Sequence, residues 1–170
     1  MKKIVLAVLA FFILGVGAFA QDNIPAYRTP GYKGEVSLSS LGLYWNGVET
    51  SHGYMFNDRF YLGAGAGVLF GAVWDFTVAA RAFADAKVYW LPRESTLTTR
   101  VRAGYLRNFY GESDMFEGSL ALGWSWGLKA GYGISFEAGM SVLVPPGITL
   151  AAVNQPCFSL APVLSLTFEF

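Results

Sequence analysis

The chain has 170 residues, of which 54% are hydrophobic, 16% aromatic and only 14% charged, with 12 basic residues balancing 12 acidic ones. Disorder needs low hydrophobicity and high net charge, and an ordinary nucleic-acid binder carries a basic excess, so both are excluded and no nucleic-acid partner is expected. A soluble domain carries about 25% charged residues; the excess of apolar residues here must be buried or must meet lipid, in a length that fits one domain.

Lys2 and Lys3 precede the apolar run Ile4 to Val16, and Ala18-Phe19-Ala20 places small residues at the offsets a signal peptidase reads. Residues 1–20 therefore read as a cleavable secretory signal peptide. The alternative of a retained membrane helix is opposed by Gln21, Asp22 and Asn23, which follow at once. Residues 21–33 then form a periplasmic N-terminal segment, and residues 34–170 the folded domain. No cysteine follows the cleavage site to carry a lipid anchor, and loss of Lys2 and Lys3 leaves a mature net charge of about −2. Cys157 is the only cysteine, so no internal disulfide forms. It reads as a small apolar residue at a strand start. With one His and one Cys in the chain, no metal site and no cofactor is expected.

Beyond the signal, no run of about 18 apolar residues exists that could form a spanning helix. The charge-free stretch Ala138 to Phe168 is cut by Pro145-Pro146-Gly147 and by Asn154-Gln155-Pro156. Apolar residues instead recur at every second position, the period of a strand. In chain order, two less regular segments at about 34–45 and 48–56 come first. In 59–70, Phe60, Leu62, Ala64, Ala66, Val68 and Phe70 oppose Arg59, Tyr61, Gly63, Gly65 and Gly67. In 77–90 the even positions from Val78 to Trp90 are apolar while Arg81, Asp85 and Lys87 share the other face. In 97–105, Leu97, Val101, Ala103 and Tyr105 oppose Thr98, Arg100 and Arg102; in 116–129, Phe116, Leu120, Leu122, Trp124, Trp126 and Leu128 oppose Glu117, Ser119, Ser125 and Lys129. In 134–144, Ile134, Phe136, Met140, Val142 and Val144 oppose Ser135, Glu137 and Ser141, and the even positions of 158–170 run from Phe158 to Phe170 opposite Ser159, Ser165, Thr167 and Glu169.

Eight strands result. Asn57-Asp58, Leu91 to Ser95 and Lys129 to Gly133 are short turns. Trp45-Asn46-Gly47, Gly71 to Phe76, Arg107 to Asp114 and Pro145 to Pro156 connect the other ends, the last two being longer. This is an up-and-down antiparallel meander with both termini at the short-turn end.

A soluble barrel would point its apolar faces inward. Against that, the apolar faces are nearly charge-free over the 9 to 11 residues a tilted strand needs to cross hydrocarbon, and Trp90, Trp124, Trp126 and the last strand would overfill an eight-stranded interior. The apolar faces are therefore expected to meet lipid. The inward charges are Arg59, Arg81, Lys87, Arg100, Arg102 and Lys129 against Glu35, Glu49, Asp85, Glu117, Glu137 and Glu169. Balanced signs in a narrow lumen predict interlocked ion pairs that plug it, because an unpaired buried charge is costly. Aromatic residues fall near strand ends: Tyr44, Phe70, Trp74, Phe76 and Phe116 toward the loops, Phe56, Phe60, Trp90, Trp126, Phe168 and Phe170 toward the turns, as two interfacial girdles.

With a signal peptide, eight alternating segments and a final strand ending in Leu164, Leu166, Phe168 and Phe170, the region from about Tyr32 to Phe170 resembles the small outer-membrane β-barrel domains of Gram-negative bacteria, of the OmpA/OmpX type. Gly53-Tyr54-Met55-Phe56-Asn57 leading into Leu62-Gly63-Ala64-Gly65 is similar to a pattern of the Bacteroidota-type branch. The resemblance implies an eight-stranded transmembrane barrel located in the outer membrane. It also implies that the four C-terminal residues just named are the assembly signal, with outer-membrane lipid, the barrel-assembly machinery and periplasmic chaperones as partners. It implies fold and location more than activity.

Enzymatic chemistry would need a nucleophile, a base and an orienting acid within reach of one another. His52 is the sole candidate base; Ser51 points to the opposite face, Ser40 on the facing strand is the candidate nucleophile, and Glu49 is poorly placed. Gly63-Ala64-Gly65-Ala66-Gly67 has neither phosphate-loop nor dinucleotide spacing; its inward glycines leave room for neighbouring side chains. The expected role is structural or surface-interacting and non-enzymatic, with an extracellular ligand met through loops 107–114 and 145–156. A lipid A-modifying enzyme using His52 and a narrow channel are the alternatives.

Overall fold

The structure is a computed structural model that describes residues 28–71, 77–109, 113–128, 132–146 and 158–170. Residues 1–20, expected to be a signal peptide, residues 21–27, Trp74, Phe76, Lys129, Cys157, and residues 110–112 and 147–156 of the two expected ligand loops lie outside these residues. Eight strands are present: β1 Gly31–Leu41, β2 Trp45–Met55, β3 Phe60–Gly71, β4 Thr77–Tyr89, β5 Ser95–Asn108, β6 Ser113–Gly127, β7 Gly133–Val144 and β8 Ser159–Glu169. Each pairs antiparallel with the next, and β8 pairs with β1, so the sheet closes into a barrel and has no free edge. No helix among the described residues is long and apolar enough to cross a membrane.

The register fixes the barrel's dimensions. Passing from partner to partner around the wall, Val88 leads through Thr99, Leu122, Ala138, Leu164, Ser40, Asn46 and Phe70 back to β4 at Val78, ten residues from the start. Eight strands with that stagger tilt by about 40° and enclose a radius of about 8 Å. Each residue then advances about 2.5 Å along the axis, so the shortest strands cover about 27 Å. Both chain ends of the barrel lie at the short-turn end, where Glu35 faces Glu169 and Gly34 and Phe170 exchange backbone hydrogen bonds of 2.8 and 2.9 Å.

Two connections differ from expectation. The β1–β2 turn is Gly42-Leu43-Tyr44, and Trp45-Asn46-Gly47 belongs to β2. Gly42 (φ 65°) and Leu43 (φ 63°) supply the left-handed backbone that a tight hairpin needs, so the Asn-Gly pair that signals such a turn is left in the ladder. The β5–β6 ladder likewise climbs into the expected loop 107–114. Arg107 pairs with Asp114 at 3.5 Å, Tyr105 meets Phe116 edge-on at 5.7 Å, and only residues 109–112 lie between the strands.

Candidate functional site

Alternation along each strand sorts side chains by chemistry. Leu120, Leu122, Trp124 and Trp126 of β6 point away from the lumen and are about half exposed, while Glu117, Ser119 and Ser125, at the odd positions of the same strand, are buried. The same holds for β8, where Leu160, Leu164, Leu166 and Phe168 are exposed and Ser165, Thr167 and Glu169 are buried. A soluble protein hides its large apolar side chains; this wall exposes them and hides its charges.

Among the described residues the buried charges are Arg28, Lys33, Arg81, Lys87, Arg100 and Arg102 against Glu35, Glu49, Asp85, Glu117, Glu137 and Glu169. Six oppose six among the described residues, and one expected member, Arg59, is not among them. Arg59 is half-buried in the turn before β3, because the Asn57 side chain accepts from the amides of Arg59 and Phe60 (2.9 and 2.8 Å) and ends the strand there. Lys129 lies outside the described residues. Lys33 and Arg28 belong to the array without being in the expected set. Lys33 continues the inward alternation of Glu35 one step toward the N-terminus, so its position was available from the pattern; Arg28 precedes the strand and carries no such signal.

The pairs form one connected array. Toward the loops, Arg81 bridges Glu49 and Glu117, Glu49 also accepts from Arg102 (2.7 Å), and Ser141 donates to Glu117 (2.8 Å). Toward the turns, Lys87 contacts Glu169 (2.6 Å), Glu137 (3.0 Å) and Glu35 (3.5 Å), and Arg100 contacts Glu35 and Glu137. Asp85 joins the halves, 3.7 Å from both Arg100 and Arg102, and accepts from Ser51 at 3.0 Å. At the turn-end mouth Lys33 donates to Glu169 (2.7 Å) and to the Tyr89 hydroxyl (2.6 Å), while Arg28 lies 4.3 Å over the Tyr89 ring and donates to Ser125 (2.7 Å). Every cation faces more than one partner, which is how a buried ionic array offsets its desolvation.

The ends of the lumen are closed differently. Met55, Tyr61 and Tyr89 form a buried cluster at the turn end. At the loop end Leu41, Leu69, Ala79, Leu106, Ala161 and Val163 pack together, with Trp45 and Leu143 against them, as an apolar stopper above the charges. The stopper escaped sequence reading because its members are single inward residues scattered over five strands, and only closure of the barrel brings them together. The β3 glycines do make room as expected: a Cβ on Gly65 would fall 2.6 Å from the Phe83 ring and one on Gly63 closer still to the Tyr61 hydroxyl. Phe83 in turn lies under Arg102 at 4.4 Å.

Ser40, Glu49 and His52 are not brought together. His52 is exposed on the outward face and pairs across β1 with Gly34, six register steps from Ser40, a separation of about 20 Å. Its ring stacks on Tyr32, with Nδ1 2.6 Å from the Tyr32 hydroxyl and Nε2 2.9 Å from that of Thr50. Ser51 faces inward against Tyr61, and Glu49 belongs to Arg81 and Arg102. Alternation told the faces apart but not the height along the barrel, which depends on register.

Of the girdle residues, Tyr44, Phe70 and Phe116 are exposed toward the loops, and Phe56, Trp90, Trp126, Phe168 and Phe170 toward the turns, where Phe60 is half-buried. Tyr32, Tyr54 and Tyr132 join the turn-end set; Tyr132 stacks on Phe168 and Phe168 on Phe170. Leu164 and Leu166 project outward from β8 in line with them. Comparison of the sequence with models of known protein families and with curated proteins found no match.

Proposed function

We propose that the chain is an integral outer-membrane β-barrel protein, exported through a cleaved signal peptide at residues 1–20, with its loops outside, its lumen occluded, and a structural or surface-interacting, non-enzymatic role. One observation carries this reading: across the described wall the buried face holds the ionic array and the exposed face holds large apolar side chains, over a height near the about 25 Å apolar band of membrane barrels. In water that arrangement would expose thousands of square ångströms of oily surface; in lipid it satisfies both faces. Residues 164, 166, 168 and 170 act as the signal for the assembly machinery after chaperoned transit of the periplasm. The β5–β6 ladder rises above the low β1–β2 turn, and an extracellular ligand is met through loops 107–114 and 145–156.

Membrane fractionation with gel mobility tests this. Expected is recovery only with detergent, and a faster band before boiling than after, because a closed barrel resists the detergent until heated. Release by salt alone with unchanged mobility would reverse the localisation. Planar bilayers should stay silent, since the ionic array and the apolar stopper fill the lumen; steady conductance from pure protein would favour the channel instead.

A further inference from the structure

Arg28 precedes β1 and is 7% exposed, while Thr29 and Pro30, which link it to the strand, are exposed. The chain therefore passes over the turn-end rim and dips back into the lumen. Its hinge is Gly31, whose φ of 142° strains any residue that carries a Cβ. The partners of Arg28 stand across the mouth from β1: Tyr89 ends β4, Arg93 lies in the β4–β5 turn and Ser125 belongs to β6. Nη1 donates to the Arg93 carbonyl at 3.0 Å, Nη2 donates to the Ser125 hydroxyl at 2.7 Å, and the guanidinium carbon lies 4.3 Å from the centre of the Tyr89 ring. One flat cation with diverging N–H groups satisfies a carbonyl, a hydroxyl and a π face together; a compact ammonium has neither the span nor the plane.

The seat is separable from the array beneath it. Lys33 and Lys87 hold Glu169 at 2.7 and 2.6 Å and also approach the Tyr89 ring, at 4.6 and 5.2 Å. Arg28 thus shares its ring with two other cations. Among the described residues it has no carboxylate in ion-pair range and reaches Glu169 only through Ser125, which donates to that acid at 3.4 Å. Withdrawing Arg28 strips no lumen acid of its cation, unlike withdrawing Arg81.

We propose that Tyr89, Ser125 and the Arg93 carbonyl form a binding seat for an alkylguanidinium group, filled in cis by Arg28 as the latch of a strap at residues 28–31. Lifting the latch opens the turn-end half of the lumen to solvent and the seat to a free guanidinium-bearing ligand. The apolar stopper keeps the loop end shut, so the opened lumen is a blind pocket and not a pore. The seat belongs to the barrel itself and is the same whichever solvent covers the outer wall.

Thr98 supplies the reporter. It is fully buried, it is the direct cross-strand partner of Tyr89, and its hydroxyl makes no hydrogen bond among the described residues. Thr98→Cys, with Cys157→Ser to remove the native thiol, therefore sets a thiol just behind the seat, and its labelling by a small water-soluble methanethiosulfonate is timed in the purified full chain. Adding Arg28→Ala should speed labelling about tenfold, the weight of one hydrogen bond to a charged group, and Arg28→Lys should do the same. Methylguanidinium should slow the Arg28→Ala chain back toward the parent rate, while methylammonium at equal ionic strength should not. Far-ultraviolet circular dichroism reports folding. Gly31→Ala strains the hinge with Arg28 in place; it should speed labelling as well, and gives the reading if Arg28→Ala does not fold. Labelling unchanged by either substitution would overturn the strap. Slow labelling in Arg28→Lys, equal protection by both ions, or protection by neither would overturn the guanidinium seat.

Discussion

Arg81 is 2% exposed and donates to carboxylates from two other strands, Glu49 of β2 and Glu117 of β6. Removing that cation leaves Glu117, among the described residues, with only the Ser141 hydroxyl and Glu49 with Arg102 alone, and breaking a buried pair ordinarily costs about 3–5 kcal/mol. Arg81→Leu is therefore expected to destabilise the barrel by about that amount in urea unfolding from lipid vesicles. Adding Glu117→Gln should return more than about 1 kcal/mol, because the neutral amide no longer needs a cation; coupling of this kind is what a double-mutant cycle isolates. Strict additivity of the two would show that the array is not coupled. The charges were legible from alternation because an ionised side chain has one tolerable face. Their pairing was not, since Arg81 meets a residue 32 positions away and another 36 positions away.

At the level of elements, the β1–β2 hairpin and the β1–β8 seam carry the local strain and the closure. Leu43 adopts φ 63° without a glycine's freedom, a conformation that costs an ordinary residue about 1–2 kcal/mol. Leu43→Gly should raise stability by about 1 kcal/mol, less the entropy glycine adds to the unfolded chain; a marked loss would mean that the exposed Leu43 side chain is itself anchored. At the seam the Phe170 ring lies directly over Gly34, so that a Cβ there would collide with it. An aromatic ring covering a cross-strand glycine is a known way to pin register. Gly34→Val should displace the ring and destabilise by about 1–3 kcal/mol, as overpacking does, with a larger unfolded fraction in the unboiled lane. An unchanged fraction would separate Phe170 from closure. Strand existence followed from the period of two, but the strand ends at Leu41, Asn108 and Ser113 followed from backbone conformation and cross-strand pairs that no local window contains.

For the whole molecule the governing property is sidedness. Ala84 lies near mid-height on the outward face of β4 and is exposed. Ala84→Arg should cost about 2–4 kcal/mol in lipid vesicles, whereas on a water-facing wall it would cost next to nothing. An unfolding free energy unchanged by that substitution is the result that would sink the lipid-facing assignment.

What the order of residues determined alone was the count of strands, their alternation and which face carries charge, because these depend only on the two-residue repeat of extended backbone. What only closure decided was the stagger of ten residues, which sets the width and the height of every side chain. That stagger brings the stopper together, admits Lys33 and Arg28 to the ionic array, and separates His52 from Ser40. Height along a closed sheet is a property of the complete circuit of hydrogen bonds, and no single strand encodes it.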